Sequence, residues 1–358
     1  MGDEMADLQL FDYKDVTECV MLEPTLDNQL ITSLNLFNEK IYTTTTSFLF
    51  DNVIAATQSA APVVADYDLG DYGSIVTGTA QTLMLRVPAY ALESQISASA
   101  FQGHRKPGTN REKTLDDVTA DHLLSMKQRL EIAREKAMQR ALFDNVIHFK
   151  HADINIVDEL GGKFQQSEDE LNLGGDLIRE MERIVKLVKK QMGGLVHSFG
   201  GVYLFVDSST YDRLRYDDKD IRRAIMFGNG TVKSSMVFDG EHLPGYSVFQ
   251  VDGIAITIIS CDDSFMKEGY AYAVPAVRKN TFLPCMSEIV GPATRNLRYA
   301  MSGAPAREIY WIEQTNTQRK IFCESHTAYI NSRPDFVFKL KLTEPVTPEP
   351  PQGETGGK

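Results

Sequence analysis

Seven histidines and four cysteines are the first residues to search for chemistry. A metal site needs His, Cys or carboxylate ligands at short fixed spacing, as in HExxH or paired CxxC motifs. Neither pattern occurs. Cys19, Cys261, Cys285 and Cys323 are scattered, which points away from a zinc ribbon, a redox dithiol or a disulfide framework. His148 and His151, with Asp153 nearby, read as ordinary histidines rather than metal ligands. Asp217-Asp218-Lys219-Asp220 and Asp262-Asp263 lack the glycine and glutamate of a calcium loop and read as a solvated helix start or a turn.

Nucleotide and nucleophile signals are equally thin. Gly228-Asn229-Gly230-Thr231-Val232-Lys233-Ser234 has the wrong spacing for a phosphate loop and no clear strand and helix around it. There is no GxSxG elbow. Ser287 and Ser325 stand beside acids, and His326 follows Ser325. Neighbours on a strand face opposite sides, so no triad is expected there. Basic residues gather at His104, Arg105, Lys106, Arg111 and Lys113. They are either a solvated turn or a contact for an acidic surface on a neighbouring subunit. No aromatics interleave with them as a nucleic-acid stacking platform requires. The expectation is a structural protein without catalytic, cofactor or metal residues.

Composition bounds the class. The chain has 358 residues, 42% hydrophobic and 24% charged, ordinary globular proportions. At about 150 residues per domain, two to three domains are expected. The 37 basic residues against 49 acidic ones leave a net charge of −12. That disfavours a chain whose main task is gripping phosphates, yet suits one standing beside nucleic acid without sticking to it. The acidic start Met1-Gly2-Asp3-Glu4 does not read as a secretory signal. No apolar run approaches the roughly 18 residues of a membrane span. Synthesis in the cytoplasm is expected.

Few elements are strongly marked. Residues 1–45 hold short apolar clusters (Ile31, Leu34, Leu36, Phe37) and end in threonines 43–46, which favour extended backbone. Residues 63–110 are rich in Gly, Ser, Thr and Ala, with candidate strands at 74–76 and 82–87. This stretch has too few large apolar side chains to own a core and reads as a long excursion. Thr114 and Asp117 form a capping box for a helix of about 28 residues. Its stripe is Leu123, Met126, Leu130, Ala133, Ala137 and Ala141, with Lys127, Arg129, Glu131, Arg134 and Glu135 between. Residues 146–168 carry apolar patches with Gly161-Gly162 in the later part, and a hairpin is expected there. Leu177, Met181, Ile184, Val188 and Met192 mark a second amphipathic helix, stopped by Gly193-Gly194. Residues 202–206 read as a buried strand leading into a short helix. Asp252-Gly253 marks a hairpin between 248–251 and 254–259. Residues 320–330 and 335–342 read as strands, and 343–358 as a disordered tail.

This order, with Arg86-Val87-Pro88, Arg105-Lys106-Pro107-Gly108-Thr109, Ala141-Leu142-Phe143-Asp144 and Tyr272-Ala273-Val274-Pro275, resembles tailed-bacteriophage major capsid proteins, nearest to the lambda-type branch. Gly291-Pro292-Ala293, Glu324-Ser325-His326-Thr327-Ala328-Tyr329-Ile330 and Arg333-Pro334 add to the likeness. The resemblance implies an α+β HK97-like fold. In those terms 1–45 is an N-terminal arm, 46–112 a strand plus extended β-hairpin loop, and 113–171 the peripheral domain with its spine helix. Residues 172–315 are then the axial domain, and 316–342 return strands of the peripheral domain. The resemblance further implies homo-hexamers and homo-pentamers closing into an icosahedral head in the virion. That head encloses double-stranded DNA without sequence-specific binding. A separate scaffolding protein and a portal are expected, a decoration protein is allowed, and no membrane is involved. Arg86, Arg105, Lys106 and Arg111 are the expected assembly contacts. The alternatives are an encapsulin-type compartment shell, or an enzyme with an unrecognised site.

Overall fold

The computed structural model describes residues 12–17, 20, 30–52, 81–100, 114–159, 164–174, 176–214, 230–231, 236–238, 241–243, 246–251, 254–261, 266–277 and 286–343. They fall into two compact units. The first holds the described residues up to 52, with 81–159 and 286–332; the second holds 164–277 and 333–343.

The chain begins with β1 (Asp12–Asp15), α1 (Leu30–Leu34) and β2 (Glu39–Tyr42). The sequence offers this arm no packed home, yet Val16, Leu30, Ile31, Leu36 and Phe37 are buried. Their partners lie far along the chain, as where Phe37 meets Tyr329 edge-on with ring centroids 5.4 Å apart. The threonines expected to be extended form a bend instead, in which the Thr45 N–H donates to Thr43 Oγ1 at 3.2 Å. The bend leads into β3 (Ser47–Asn52), which pairs antiparallel with β4 (Gln81–Arg86) as a two-stranded ribbon. β5 (Ala89–Ile96) follows and belongs to a sheet rather than to an excursion.

The long helix is α2 (Leu115–Gln139), opened by the expected capping box. The Asp117 N–H donates to Thr114 Oγ1 at 3.2 Å, and the Thr114 N–H donates to Asp117 Oδ2 at 3.1 Å. The α-geometry stops before Leu142. Arg140–Asp144 form a π-helical turn, closed by Asn145 at φ 56°. The hairpin stands in the first part of the expected 146–168 stretch, as β6 (Val146–His148) and β7 (Asp153–Asn155) followed by α3 (Ile156–Glu159). Burial of Ile147 and Ile156 holds it there, whereas Gly161-Gly162 lie outside the described residues.

In the second unit β8 (Ser167–Asn172) precedes α4 (Leu177–Met192), which Asp176 caps by accepting the Arg179 N–H at 3.3 Å. Its whole predicted stripe is buried, and Val185 joins it. Gly193, at φ 49°, ends the helix in a conformation that suits a residue without Cβ. β9 (Phe199–Asp207) passes into the expected short helix, α5 (Ser208–Asp212), which Asp207 caps. Then come β10 (Gly230–Thr231), β11 (Met236–Phe238), β12 (Glu241–Leu243), β13 (Tyr246–Val251), β14 (Ile254–Cys261) and β15 (Tyr270–Val277). β13 and β14 are antiparallel in the predicted register, Val251 opposite Ile254.

The last stretch completes both sheets: β16 (Met286–Val290), α6 (Leu297–Ser302), β17 (Glu308–Gln314), β18 (Arg319–Asn331) and β19 (Phe338–Thr343). The first unit's sheet runs β1-β17-β18-β16-β2, with β5 also paired to β18; the second unit's runs β10-β13-β14-β9-β15-β19-β8. These pairings move the domain limits read from the sequence. β8 pairs in parallel with β19 in the second unit, so neither belongs with the spine helix. β16 and β17 pair with β18 in the first unit rather than extending the second. Residues 344–358, expected to be a tail, lie outside the described residues.

Candidate functional site

β18 is buried along most of its length because both of its faces are covered. On one face α2 packs over Tyr310, Ile312, Ile321 and Cys323 with Met126 and Leu130. Burial pushes the Cys323 thiol up to about 12 and raises the Tyr310 phenol, so both stay neutral. The sequence spacing puts Lys127, Glu131, Arg134 and Glu135 among the outer residues of α2. The structure corrects this: Lys127, Glu131 and Glu135 are buried, and Arg134 keeps only 11% of its side chain exposed.

Arg134 and Glu135 are compensated from elements remote in sequence. Arg134 pairs with Glu308, whose side chain is 1% exposed. Arg307 Nε lies 2.7 Å from Glu288 Oε1, which also accepts the Tyr329 hydroxyl at 3.1 Å. Burial lowers the Arg134 pKa, and neighbouring Arg307 lowers it further. Glu135 closes the N-terminal end of α1, accepting the Ile31 N–H at 2.5 Å and both the N–H and hydroxyl of Thr32, at 3.2 and 2.8 Å. Burial raises the Glu135 pKa in spite of those donors. Buried charges are tolerated only when paired and hydrogen-bonded. Each pair therefore fixes the relative position of α2, the sheet and the arm.

The opposite face of the sheet is organised by Glu324, 1% exposed. Glu324 Oε1 accepts the Thr294 N–H at 3.0 Å and hydroxyl at 3.1 Å; Oε2 accepts the N–H groups of Arg295 at 3.2 Å and Asn296 at 3.3 Å. His326 Nε2 stands 2.5 Å from Oε1. Burial alone would raise this carboxyl, but the bonds from His326, Thr294 and Arg295 outweigh it and hold it at about 2. Asn296 then caps α6, its Oδ1 accepting the Arg298 N–H at 3.1 Å. Acid, histidine and hydroxyl thus meet, yet the Thr294 proton points to the carboxylate rather than to His326. The geometry makes Glu324 an anchor for segment 294–296.

Arg86 is exposed at the end of β4, opposite Ser47. Arg105, Lys106 and Arg111 lie outside the described residues, as do the runs at 217–220 and 262–263. His148 Nδ1 sits 2.5 Å from Asp153 Oδ1 on an exposed hairpin. Among the described residues no three His, Cys, Asp or Glu side chains group as metal ligands, and no helix is long and apolar enough to cross a membrane. The sequence gives no sign of the Ser94 Oγ to His122 Nδ1 contact, 2.6 Å between β5 and α2, because nothing local links those two positions.

The family model for phage major capsid protein E matches residues 15–342. The chain belongs to this family. Among solved structures it is similar to a prophage capsid protein of Escherichia coli CFT073, with 10% identity and a TM-score of 0.55 over 92% of this chain and 100% of that one. It also matches the capsid of cyanophage A-1(L), at 11% identity and a TM-score of 0.48 over 89% and 94% of the two chains. A Synechococcus elongatus PCC 7942 encapsulin complex matches at 8% identity and a TM-score of 0.41 over 92% and 95%. No curated protein matches the sequence. The prophage likeness carries the fold, an α+β HK97-like capsid fold. As a phage major capsid protein the chain is structural, self-assembles into a capsid lattice and resides in the virion.

Proposed function

We propose that this capsid protein is made in the cytoplasm of a host bacterium and builds hexamers and pentamers that close into an icosahedral head around double-stranded DNA. In this reading the first unit is the peripheral domain and the second the axial domain. A separate scaffolding protein and a portal take part in assembly, a decoration protein has room on the outer surface, and the shell performs no catalysis. Arg86, Arg105, Lys106 and Arg111 meet acidic surfaces of neighbouring subunits.

The observation that carries this reading is the β3–β4 ribbon. Its base is secured by Phe48 and Leu85, 5% and 2% exposed, within a cluster containing Ile289, Ala328 and Ile330. One residue outward, Met84 is 71% exposed. A two-stranded ribbon has little stability of its own, so neighbouring copies supply the missing contacts, and identical contacts repeated around closed rings generate a shell. Sedimentation velocity with negative-stain imaging of the fastest fraction tests it. Closed shells or ring-shaped capsomers are expected; a protein that stays monomeric when co-expressed with its scaffolding protein overturns the reading.

A further inference from the structure

The burial pattern of α2 takes charges of both signs inward, Lys127 and Arg134 with Glu131 and Glu135, and leaves a row of cations on one exposed face. From Ser125 onward, the exposed positions of the helix and its π-turn, up to Arg140, are Ser125, Arg129, Ile132, Lys136 and Arg140. The row is bounded by exposed Asp121, one turn before Ser125, and exposed Asp144, one turn after Arg140. At 1.5 Å of rise per residue Arg129, Lys136 and Arg140 are spaced by about 10 Å and about 6 Å along one straight face. In a chain of net charge −12, these three residues are a locally cationic row.

We propose that this face of α2 is a sequence-independent contact for the phosphodiester backbone of double-stranded DNA. The inference rests on the reading of the protein as a DNA container and names the surface that faces its contents. Three cations in a row match a polyanionic rod, and nothing on the row is suited to reading base edges. An acidic protein partner would call for large apolar anchors beside the charges, and the stripe offers only Ile132, 47% exposed. A contact of three cations is also weak and salt-sensitive. Affinity falls with salt at a logarithmic slope of about −0.9 per phosphate neutralised, so three contacts predict about a 40-fold loss between 50 and 200 mM salt. That is enough to order DNA against a wall without gripping it.

The test uses full-length protein and a short fluorescently labelled duplex, titrated by anisotropy across a salt series. Wild type is expected to bind with a slope of about −2.7. Each of Arg129→Gln, Lys136→Gln and Arg140→Gln should reduce the slope by about 0.9, and the triple variant should lose its salt dependence. The triple Lys186→Gln, Lys189→Gln, Lys190→Gln on α4 should behave as wild type. Circular dichroism should show each variant folded, since these side chains are exposed. A stripe variant that binds duplex like wild type overturns the proposal. So does one that loses binding to poly-glutamate while keeping duplex, which would mark an acidic-peptide surface. Wild-type protein that assembles shells yet ignores duplex at low salt overturns this assignment and leaves the container standing. A failure to form any shell counts against the container reading instead.

Discussion

Replacing Glu324 by glutamine removes one negative charge from a fully buried site and changes almost no volume. The loss can be worked from the structure. The carboxyl is held at about 2 against an ordinary 4.5. A tenfold change in an acid's ionisation constant on folding is worth about 1.4 kcal/mol, so the variant loses about 3 kcal/mol of stability at neutral pH. Glutamine aggravates this, because whichever oxygen becomes an amide NH2 then confronts N–H donors from Thr294 or from Arg295 and Asn296. The sign with pH follows from the depressed value. The unfolded carboxyl protonates near 4.5 and the folded one near 2, so the stabilisation is complete above the first and disappears as pH falls through the second. At pH 3 about 1.4 kcal/mol should remain. Urea denaturation of unassembled wild type and Glu324→Gln, at pH 7 and pH 3, measures both gaps. A gap that shrinks by roughly half or more supports the reasoning. A variant as stable as wild type at pH 7, or a gap of equal size at both pH values, would refute the claim that charge at Glu324 organises segment 294–296.

Arg134→Ala should destabilise the protein by about 3–5 kcal/mol because it strands Glu308 as a buried charge; in the same denaturation assay the double variant Arg134→Met, Glu308→Met should recover most of that loss. Met181→Ala, at the fully buried centre of the α4 stripe, should cost about 2–5 kcal/mol, read as a lower urea midpoint. Excising residues 53–80 and joining Asn52 to Gln81, which are register partners, with a Gly-containing turn should leave a folded subunit that forms no shells in negative stain. Normal shells from that deletion would remove residues 53–80 from the assembly mechanism.

What was legible in the sequence was whatever is encoded by neighbours in the chain. The Thr114–Asp117 cap, the 177–192 stripe, the strand from Val202 and the 246–261 hairpin all depend on residues within a turn or two of one another, and all stand where the spacing puts them. The limits of the long excursion were misjudged for the opposite reason. β5 looks thin in sequence, with Ala89, Ala91 and Ser94 among its residues, because its partner β18 lies more than 200 residues away and supplies the register. The same blindness affects the arm. Val16 and Ile31 form no periodic pattern, and their burial depends on Tyr310 and Glu135.

Periodicity was least informative about the charges of α2. A helix wheel places Lys127, Glu131 and Glu135 between the apolar stripe and solvent, and a solvated face is the ordinary fate of such residues. Glu135 is held inside by the N–H groups of Ile31 and Thr32, and neighbouring Arg134 by Glu308 at the start of β17, partners that no helix wheel contains. A capsid subunit has reason to retain so costly an arrangement. Apolar contacts tolerate sliding, whereas a buried ion pair broken by even a small displacement leaves uncompensated charge. The pairs therefore give α2 and the sheet one relative position. The packing that draws Lys127, Glu131, Arg134 and Glu135 inward leaves Arg129, Lys136 and Arg140 outside. Rigidity of the spine and the cations on its exposed face both follow from how α2 is turned against the sheet. Exchanging Glu135 for an apolar residue, which strands the Ile31 and Thr32 N–H groups, should lower the urea midpoint while leaving the salt dependence of duplex binding untouched.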